Sequence, residues 1–173
     1  MGYEMNIELT TDVSAIPDLY FKYAILVARY QGRFVFVRHR ERQTLELPAG
    51  HREPGERIRM TADRELREET GAMEFDLHPV FVFRVPSYDA HGQRTDAAAS
   101  LVCFAEIRTL GPLDPAFEIA EVKLCADLPE NLTYPEIQPV LFRQVREWLA
   151  GHTITGQNRM PDVTMHGELG ELS

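Results

Sequence analysis

The sequence predicts an α/β domain in which a mixed β-sheet packs against two helices. Three observations lead to this class. Runs of β-branched and aromatic residues occur both before and after a helix-forming stretch at 56–70. A second amphipathic stretch follows at 135–150. Helices that alternate with strands in this way cover a sheet that combines parallel and antiparallel pairs.

The first predicted elements form a β-hairpin. Residues 21–30 and 33–40 are rich in β-branched and aromatic side chains, and the turn residues Gln31-Gly32 separate them. A third, short strand is expected at 45–47, ending at the turn Pro48-Ala49-Gly50.

In the middle of the chain the residue pattern predicts one helix followed by three strands. The helix spans about 56–70, and Gly71 provides its stop. Strands are expected at 75–86, 98–107 and 118–124, with a turn around Gly92 before the second of them.

The last predicted element is a helix at 135–150. Its apolar residues share one face at helical spacing, which indicates packing on the sheet: Leu141, Val145, Trp148 and Leu149. From residue 151 onward the chain turns polar, so we expect a single domain over 1–150 and a polar tail over 151–173.

Composition restricts the function more than it defines it. The chain has 173 residues and a net charge of −9, which argues against general adhesion to DNA, RNA or anionic membranes. Cys103 and Cys125 form no zinc pattern, and we expect both to be reduced thiols. The chain shows no signal peptide and no apolar run of membrane-spanning length. These features predict a cytoplasmic protein.

The most informative segment runs from Gly50 to Ala72. Its spaced pattern is G-x5-E-x7-R-E-[apolar]-x-E-E-x-G-[apolar], formed by Gly50, Glu56, Arg64, Glu65, Leu66, Glu68, Glu69, Gly71 and Ala72. Because an average residue type occurs at about 7%, seven such identities arise by chance in roughly one window in 10^8. The pattern therefore requires a chemical explanation.

A helix over this segment gathers its carboxylates on one side. At about 100° per residue, Glu65, Glu68 and Glu69 span an arc of about 100°. Like charges at this spacing destabilise a helix. Clustered oxygen ligands are what a hard divalent cation requires, and Glu56 adds a fourth carboxylate. The alternative is a solvated acidic helix face, which is what a Glu-Glu pair outside such a spaced pattern usually indicates.

This pattern resembles the Nudix box, so the chain is similar to Nudix hydrolases. The resemblance implies an α/β/α sandwich that hydrolyses a nucleoside diphosphate linked to another moiety, with Mg2+ or Mn2+. It implies that Glu65, Glu68 and Glu69 hold the metal. It further implies that Glu56 assists, Arg64 orients these carboxylates and the carbonyl of Ala49 completes the coordination.

The general base is left open at this point. In the family the role belongs either to a glutamate of the box or to one in a later loop. Glu118 and Glu121 are the candidates outside the box, and both also suit ordinary surface charge at a strand edge.

Two further stretches resemble MutT-like 8-oxo-dGTP diphosphatases of bacteria, namely 38–42 and 128–139. Arg38, Arg40 and Arg42 are candidates for binding substrate phosphates, and Asn131 for recognising the base. Charge on a hairpin and an ordinary loop explain the same residues without a ligand. The leading hypothesis is hydrolysis of a nucleoside triphosphate, normal or oxidised, to monophosphate and pyrophosphate.

Other substrates remain open in the sequence. Pro86 and Tyr88 lie at distances from the box that resemble ADP-ribose and dinucleoside polyphosphate hydrolases respectively, and a plain turn also explains them. A triphosphorylated RNA end is a further alternative. A nucleotide-binding module without turnover is the alternative from another class, and a homodimer is also left open.

Overall fold

The computed structural model describes residues 7–95 and 98–152 as a mixed sheet with two helices. The strands are β1 Glu8–Thr10, β2 Phe21–Tyr30, β3 Arg33–His39, β4 Ala49–His51, β5 Ala72–Arg84, β6 Ser87–Tyr88, β7 Arg94–Thr95, β8 Ala99–Leu110 and β9 Ile119–Cys125. The helices are α1 Ile58–Thr70 and α2 Gln138–Gly151, and two 3-10 turns occupy Val13–Ala15 and Asp18–Tyr20.

The main sheet has the order β1-β5-β8-β2-β3-β9, and β4 pairs with β2 beside this path. β2 and β8 run parallel along their whole length, whereas the other neighbours are antiparallel. β4 pairs with the first half of β2 and β3 with its end, so β4 occupies the space that β3 leaves open.

The two helices cover opposite faces of the sheet. On β2, Ala24 and Leu26 belong to the core on the α1 side, whereas Ile25 and Val27 belong to the core on the α2 side. This alternation is the one expected of a strand that is buried on both faces. The α/β/α sandwich with a mixed sheet, predicted from the sequence, is confirmed.

The hairpin and helix signals proved accurate. Gln31 and Gly32 both have positive φ, at 50° and 79°, as the tight turn between β2 and β3 requires. Gly71 ends α1 in the left-handed conformation, with φ 79°. Of the predicted stripe on α2, Leu141 and Val145 are fully buried, and Phe142, which the spacing did not include, is buried with them.

Several boundaries differ from the sequence prediction. Residues 45–47 form only single bridges, from Leu45 to Leu132 and from Glu46 to Val37. The strand lies instead at Ala49–His51, in the predicted turn, because β2 offers its free edge there. α1 begins at Ile58 rather than at 56, and α2 runs through Gly151. The remainder of the predicted tail, 153–173, lies outside the described residues.

The predictions about membrane and thiols can be compared with the described part of the chain. Within it, neither helix is long and apolar enough to cross a membrane. Cys103 and Cys125 are both free thiols, as expected, and Cys103 is completely buried.

Candidate active site

The position of α1 is fixed at its first turn by a residue from outside the helix. Arg57, which precedes the helix, provides no side-chain cap. Instead, the amide of Ile58 donates to Asp18 Oδ1 at 3.1 Å, and Arg52 holds the same aspartate through Oδ2 at 3.2 Å. The apolar stripe of Ile58, Ala62 and Leu66 then packs on the sheet. The adjoining side of α1, which carries Glu65 and Glu69, faces β4.

Strand β4 approaches this helix closely. A Cβ atom on Gly50 would lie 2.0 Å from Glu65 Cδ, so any other residue at this position would displace the Glu65 carboxylate. The amide of Ala49 donates to Glu69 Oε1 at 2.7 Å. The turn and the helix of the sequence pattern therefore meet at two of its carboxylates.

Arg64 binds most of the acidic face of α1, and we call this group the Arg64 cluster: Arg64, Glu56, Glu65 and Glu68. Its guanidinium donates to Glu56 at 2.8 and 2.9 Å, to Glu65 at 2.8 Å and to Glu68 at 3.3 Å. A further bond reaches the carbonyl of His51 at 3.0 Å. Arg64 and Glu68 form an ion pair at i,i+4 spacing, but the shorter bonds are those to Glu56 and Glu65.

The Arg64 cluster divides the carboxylates by protonation behaviour. Burial disfavours the charged form of Glu56, but the hydrogen bonds from Arg64 and the amide of Glu53 hold its pKa below the ordinary value. Burial raises the pKa of Glu65, and Arg64 only partly offsets it. The charged form of Glu56 is thus stabilised within the protein, whereas the charged form of Glu65 would be stabilised by further positive charge.

A second group, the Glu69 cluster, lies deeper and consists of Glu69, Glu46, His39 and Arg42. Glu69 and Glu46 are only 7% and 6% exposed. His39 Nε2 lies 3.4 Å from Glu69 Oε2 and 3.5 Å from Glu46 Oε1. Arg42 donates to Glu46 at 2.8 Å, and its guanidinium contacts no atom of Glu69 in the described residues.

Burial raises the pKa of Glu69 to about 8, and the nearby charges of Glu65, Glu46 and Glu118 add to this effect. The hydrogen bond from the Ala49 amide opposes it. Burial and the charges of Glu69 and Glu46 likewise raise the pKa of Tyr23 to about 12, so its phenol keeps its proton. Among the described residues, Arg42 pairs with Glu46, and no arginine or lysine pairs with Glu69 itself.

The donors present suit a hard divalent cation. In the part of the chain that the structure describes, no three His, Cys, Asp or Glu side chains already converge as a chelating group. The candidate ligands are nevertheless oxygen atoms of Glu65, Glu68 and Glu69, which Mg2+ and Mn2+ prefer. Gly50 keeps the space beside Glu65 open, and the buried charge at Glu69 is the kind that a cation would neutralise.

The two candidate bases outside the box differ in their surroundings. The Glu118 side chain is 89% exposed, and its Oε2 lies 3.7 Å from His39 Nδ1, at the edge of the Glu69 cluster. Glu121 faces Arg38 across β3 and β9 and accepts a hydrogen bond from it at 3.1 Å. Glu118 is thus the one with a free approach to the site.

The arginines predicted to bind phosphate have protein partners in this structure. Arg38 contacts Glu121 and the carbonyl of Arg42, and Arg40 donates to the carbonyl of Pro115 at 2.6 Å. A cavity of about 320 Å³ lies beside them, lined by His39, Arg40, Glu41, Arg42, Ala116, Phe117 and Glu118. Two of the three predicted arginines therefore line an open space next to the carboxylates.

Asn131 lies in the loop between β9 and α2. The side-chain Nδ2 donates to the carbonyl of Gln43 at 3.3 Å, and the backbone carbonyl of Asn131 accepts from the Leu45 amide at 2.9 Å. These bonds tie together the two loops that flank the site. The structure thus gives Asn131 a loop-bracing contact.

Sequence reasoning missed His39 and Glu46 as site residues. Glu46 alternates with apolar residues in Leu45-Glu46-Leu47, which indicates ordinary strand alternation. Only the pairing of Glu46 with Val37 brings it under β3 and beside Glu69. His39 shares a face of β3 with Val35 by strand alternation, which places it on the α1 side beside the same carboxylates.

Comparison with known proteins agrees with this geometry. The family model described as "NUDIX domain" matches residues 21–146. A Bacillus subtilis (strain 168) protein, "Putative 8-oxo-dGTP diphosphatase YtkD", is 28% identical over 131 residues, covering 76% of this chain and 78% of that protein.

Solved structures share the fold. The Bacillus subtilis pyrophosphohydrolase BsRppH superposes with a TM-score of 0.66 at 24% identity, covering 82% of this chain and 90% of that one. A C. elegans Ap4A hydrolase gives 0.55 at 20% identity, covering 76% and 100%. At these identities the likeness establishes the shared architecture.

Proposed function

Because the chain belongs to the NUDIX domain family and is a Nudix pyrophosphohydrolase, we propose that its substrate is a nucleoside triphosphate. The products would be the monophosphate and pyrophosphate, and Mg2+ or Mn2+ would be the cofactor. The name of the 28% identical relative, an 8-oxo-dGTP diphosphatase, supports this substrate class and includes oxidised nucleotides in it. We place the reaction in the cytoplasm, in keeping with two free thiols.

The observation that carries the proposal is the Glu69 cluster. A buried carboxylate beside two others, with a pKa raised to about 8, is costly to keep unless positive charge arrives with the substrate. Phosphoanhydride hydrolysis requires such charge at the phosphates. This supports a cation bound at these carboxylates, where the reaction would need it.

When bound, the divalent cation supplies charge neutralisation on the phosphates and an activated water. Glu65, Glu68 and Glu69 would hold it, and the Ala49 carbonyl would complete its coordination. Arg64 fixes Glu65 and Glu68, and its bonds to Glu56 keep the guanidinium in place. The chain thus provides an orientation that the carboxylates could not keep against their mutual repulsion.

We propose that Glu118 takes the proton from the attacking water. Its carboxylate is exposed next to the site, whereas Glu121 is held by Arg38. Glu118→Gln should lower kcat and leave KM nearly unchanged, while Glu121→Gln should have little effect on either. The reverse ranking would assign the base to Glu121, and no effect of either change would return the role to the box.

Arg40 and Arg42 are proposed to bind the phosphates at the 320 Å³ cavity, with Arg38 bracing Arg42 through its carbonyl. The expected partner is thus a small nucleotide, and we expect no DNA binding. Arg40→Ala should raise KM more than it lowers kcat, because a phosphate contact outside the reacting group contributes mainly to binding.

The test of the proposed function is a substrate panel assayed with Mg2+, with Mn2+ and with chelator. It should contain the normal and oxidised deoxynucleoside triphosphates, ADP-ribose, a dinucleoside tetraphosphate and a triphosphorylated RNA. We expect metal-dependent release of pyrophosphate from a triphosphate as the fastest reaction. Faster turnover of another class would replace the substrate, and no turnover of any would indicate a binding module.

A further inference from the structure

A second, smaller cavity opens beside Glu46 of the Glu69 cluster. It measures about 170 Å³ and is lined by Tyr23, Ile25, Glu46, Ala49, Phe83, Ser100, Tyr134, Ile137, Gln138 and Leu141. Sites for whole small molecules usually occupy about 300–1,000 Å³. This cavity therefore suits one ring system of a larger ligand. It shares Ala49 with the catalytic site.

The walls of the cavity suit a planar aromatic ring. Phe83, Ile25 and Leu141 are buried apolar residues that belong to the core on the α2 side. Tyr23 closes the end nearest the carboxylates, and Tyr134 stands at the mouth, where it is 43% exposed. The Arg42 guanidinium lies 5.8 Å from the centre of the Tyr134 ring. Stacking on such side chains contributes to the binding of any nucleobase.

Gln138 gives the cavity one polar group of fixed direction. Its side chain is buried, with 6% of the residue exposed, and its Oε1 accepts the amide hydrogen of Leu47 at 3.1 Å. Only the oxygen of the amide can accept, so Nε2 is identified as the donor end. This Nε2 has no hydrogen-bond partner among the described residues. Nε2 is not among the fully buried unpartnered atoms of these residues, so it is reached from the cavity, where a ligand could supply an acceptor.

Glu46 gives the cavity a complementary group. Its Oε1 is held by Arg42 at 2.8 Å and lies 3.5 Å from His39. Its Oε2 has no partner in the part of the chain that the structure describes. The cavity thus presents one N–H donor and a carboxylate acceptor, both on buried side chains.

Guanine matches this pair better than the other bases do. Its Watson–Crick edge carries a carbonyl acceptor next to two adjacent N–H donors, which a carboxylate can accept together. Adenine and cytosine each show a single amino group beside a ring acceptor, and uracil and thymine show a single N–H. A carboxylate beside an amide donor therefore distinguishes guanine by one additional charge-assisted hydrogen bond.

We infer that Glu46 and Gln138 select guanine, with Glu46 accepting its two N–H groups and Gln138 donating to its carbonyl. This inference rests on the proposed hydrolysis of a nucleoside triphosphate and specifies the base. It gives base recognition to α2 and the 45–47 segment, whereas Asn131 braces the loops.

The test compares kcat/KM for dGTP, 8-oxo-dGTP, dATP, dCTP and dTTP in the wild type and in two variants. Gln138→Glu keeps the oxygen that accepts from Leu47 but replaces the donor with an acceptor. Glu46→Gln replaces one acceptor with a donor. Each change should reduce the preference for dGTP over dATP by about tenfold to a hundredfold, the usual discrimination of one bidentate contact.

Gln144→Glu is the matched control, because it makes the same change on α2 at a position that does not line this cavity. It should leave the preference unchanged. A wild type without preference for guanine would overturn the inference, and so would an unchanged preference in both variants. Unfolding temperatures identify a variant that fails to fold, and the other variant then decides.

Calorimetry with GMP and AMP separates this inference from the proposed function. If no triphosphate is hydrolysed, the proposed reaction fails, but tighter binding of GMP that Gln138→Glu abolishes would still support base recognition. Equal affinities for GMP and AMP would overturn it, whatever the turnover.

Discussion

The Arg64 cluster and the Glu69 cluster are built from the same helix face but differ in how their charge is balanced. In the first, one guanidinium bonds to three carboxylates and holds the pKa of Glu56 below its usual range. In the second, burial and neighbouring carboxylates raise the pKa of Glu69 to about 8. Glu56 in the first cluster is therefore stabilised as an anion by Arg64, whereas the charged form of Glu69 in the second would be stabilised only by further positive charge.

This difference indicates a division of labour between the clusters. The Arg64–Glu56 pair is neutral and keeps its geometry in the absence of a ligand, and so it orients Glu65 and Glu68 next to it. An under-neutralised group gains most from a cation, and so it is the better place to bind one. Predictions that treat the clusters separately therefore test the account.

The largest effect is expected from Glu69→Gln. The change keeps the acceptor for the Ala49 amide and removes the charge, so kcat with Mg2+ should fall by about 1,000-fold or more. Partners in the outer shell of a metal usually cost 10–100-fold, and a direct ligand should cost more. Steady-state kinetics measure this, with Glu74→Gln on the exposed edge of β5 as the control. Turnover close to wild type would remove Glu69 from the site.

A smaller loss is expected from Gly50→Ala, which disturbs the approach of β4 to α1. The added methyl group would lie 2.0 Å from Glu65 Cδ, so the carboxylate must move. A displacement of about 1 Å can cost about 100-fold in rate. Turnover assays with Gly151→Ala as the control, where φ is not positive and no atom lies within 4 Å of the added methyl, isolate the effect of this close approach. An equal loss in both variants would contradict the explanation.

The contrast between the clusters also explains what the sequence could predict. Glu65, Glu68 and Glu69 share a helix face, which follows from helical periodicity alone, and so does the stripe of Ile58, Ala62 and Leu66. The ion pair from Arg64 to Glu68 follows from the same spacing. Local geometry was therefore predictable wherever it depends on one helix.

The Glu69 cluster was not predictable in this way. His39 and Glu46 meet Glu69 only because distant segments pack together, with Glu46 joined to β3 by a single bridge to Val37, and such packing leaves no periodic signal. Strand β4 was predicted as a turn because Pro48 and Gly50 favour one. The free edge of β2 decides the outcome, and pairing between distant segments is not visible in local propensity.

A moderate effect is expected from Arg64→Lys. Lysine keeps the charge but lacks the planar fork that reaches Glu56, Glu65 and Glu68 together. We expect kcat to fall by about tenfold, as for residues that orient metal ligands, together with a lower unfolding temperature. Full activity would show that charge alone suffices in this cluster.

The smallest effect is expected on the thermal stability of the metal-free protein, to which Glu69 and Glu56 should contribute with opposite pH dependence. The raised pKa of Glu69 means that its contribution is fully present below about pH 4.5 and is lost as the pH rises through about 8. The lowered pKa of Glu56 means that its contribution is present above about pH 4.5 and is lost as the pH falls further.

At pH 8.5 in chelator, Glu69→Gln should therefore raise the unfolding temperature and Glu56→Gln should lower it. Thermal unfolding followed by circular dichroism at pH 5.5 and pH 8.5 measures both changes. The gain from Glu69→Gln should shrink at the lower pH. Changes of the same sign in the two variants at pH 8.5 would show that the clusters do not differ as described.

Mn2+ binding followed by electron paramagnetic resonance tests directly whether Glu69 completes a divalent cation site. The wild-type chain, Glu69→Gln and the Glu74→Gln control would be titrated at pH 8. We expect Glu69→Gln to weaken Mn2+ binding by at least about tenfold and the control to leave it unchanged. Equal affinity for Mn2+ in all three proteins would contradict it.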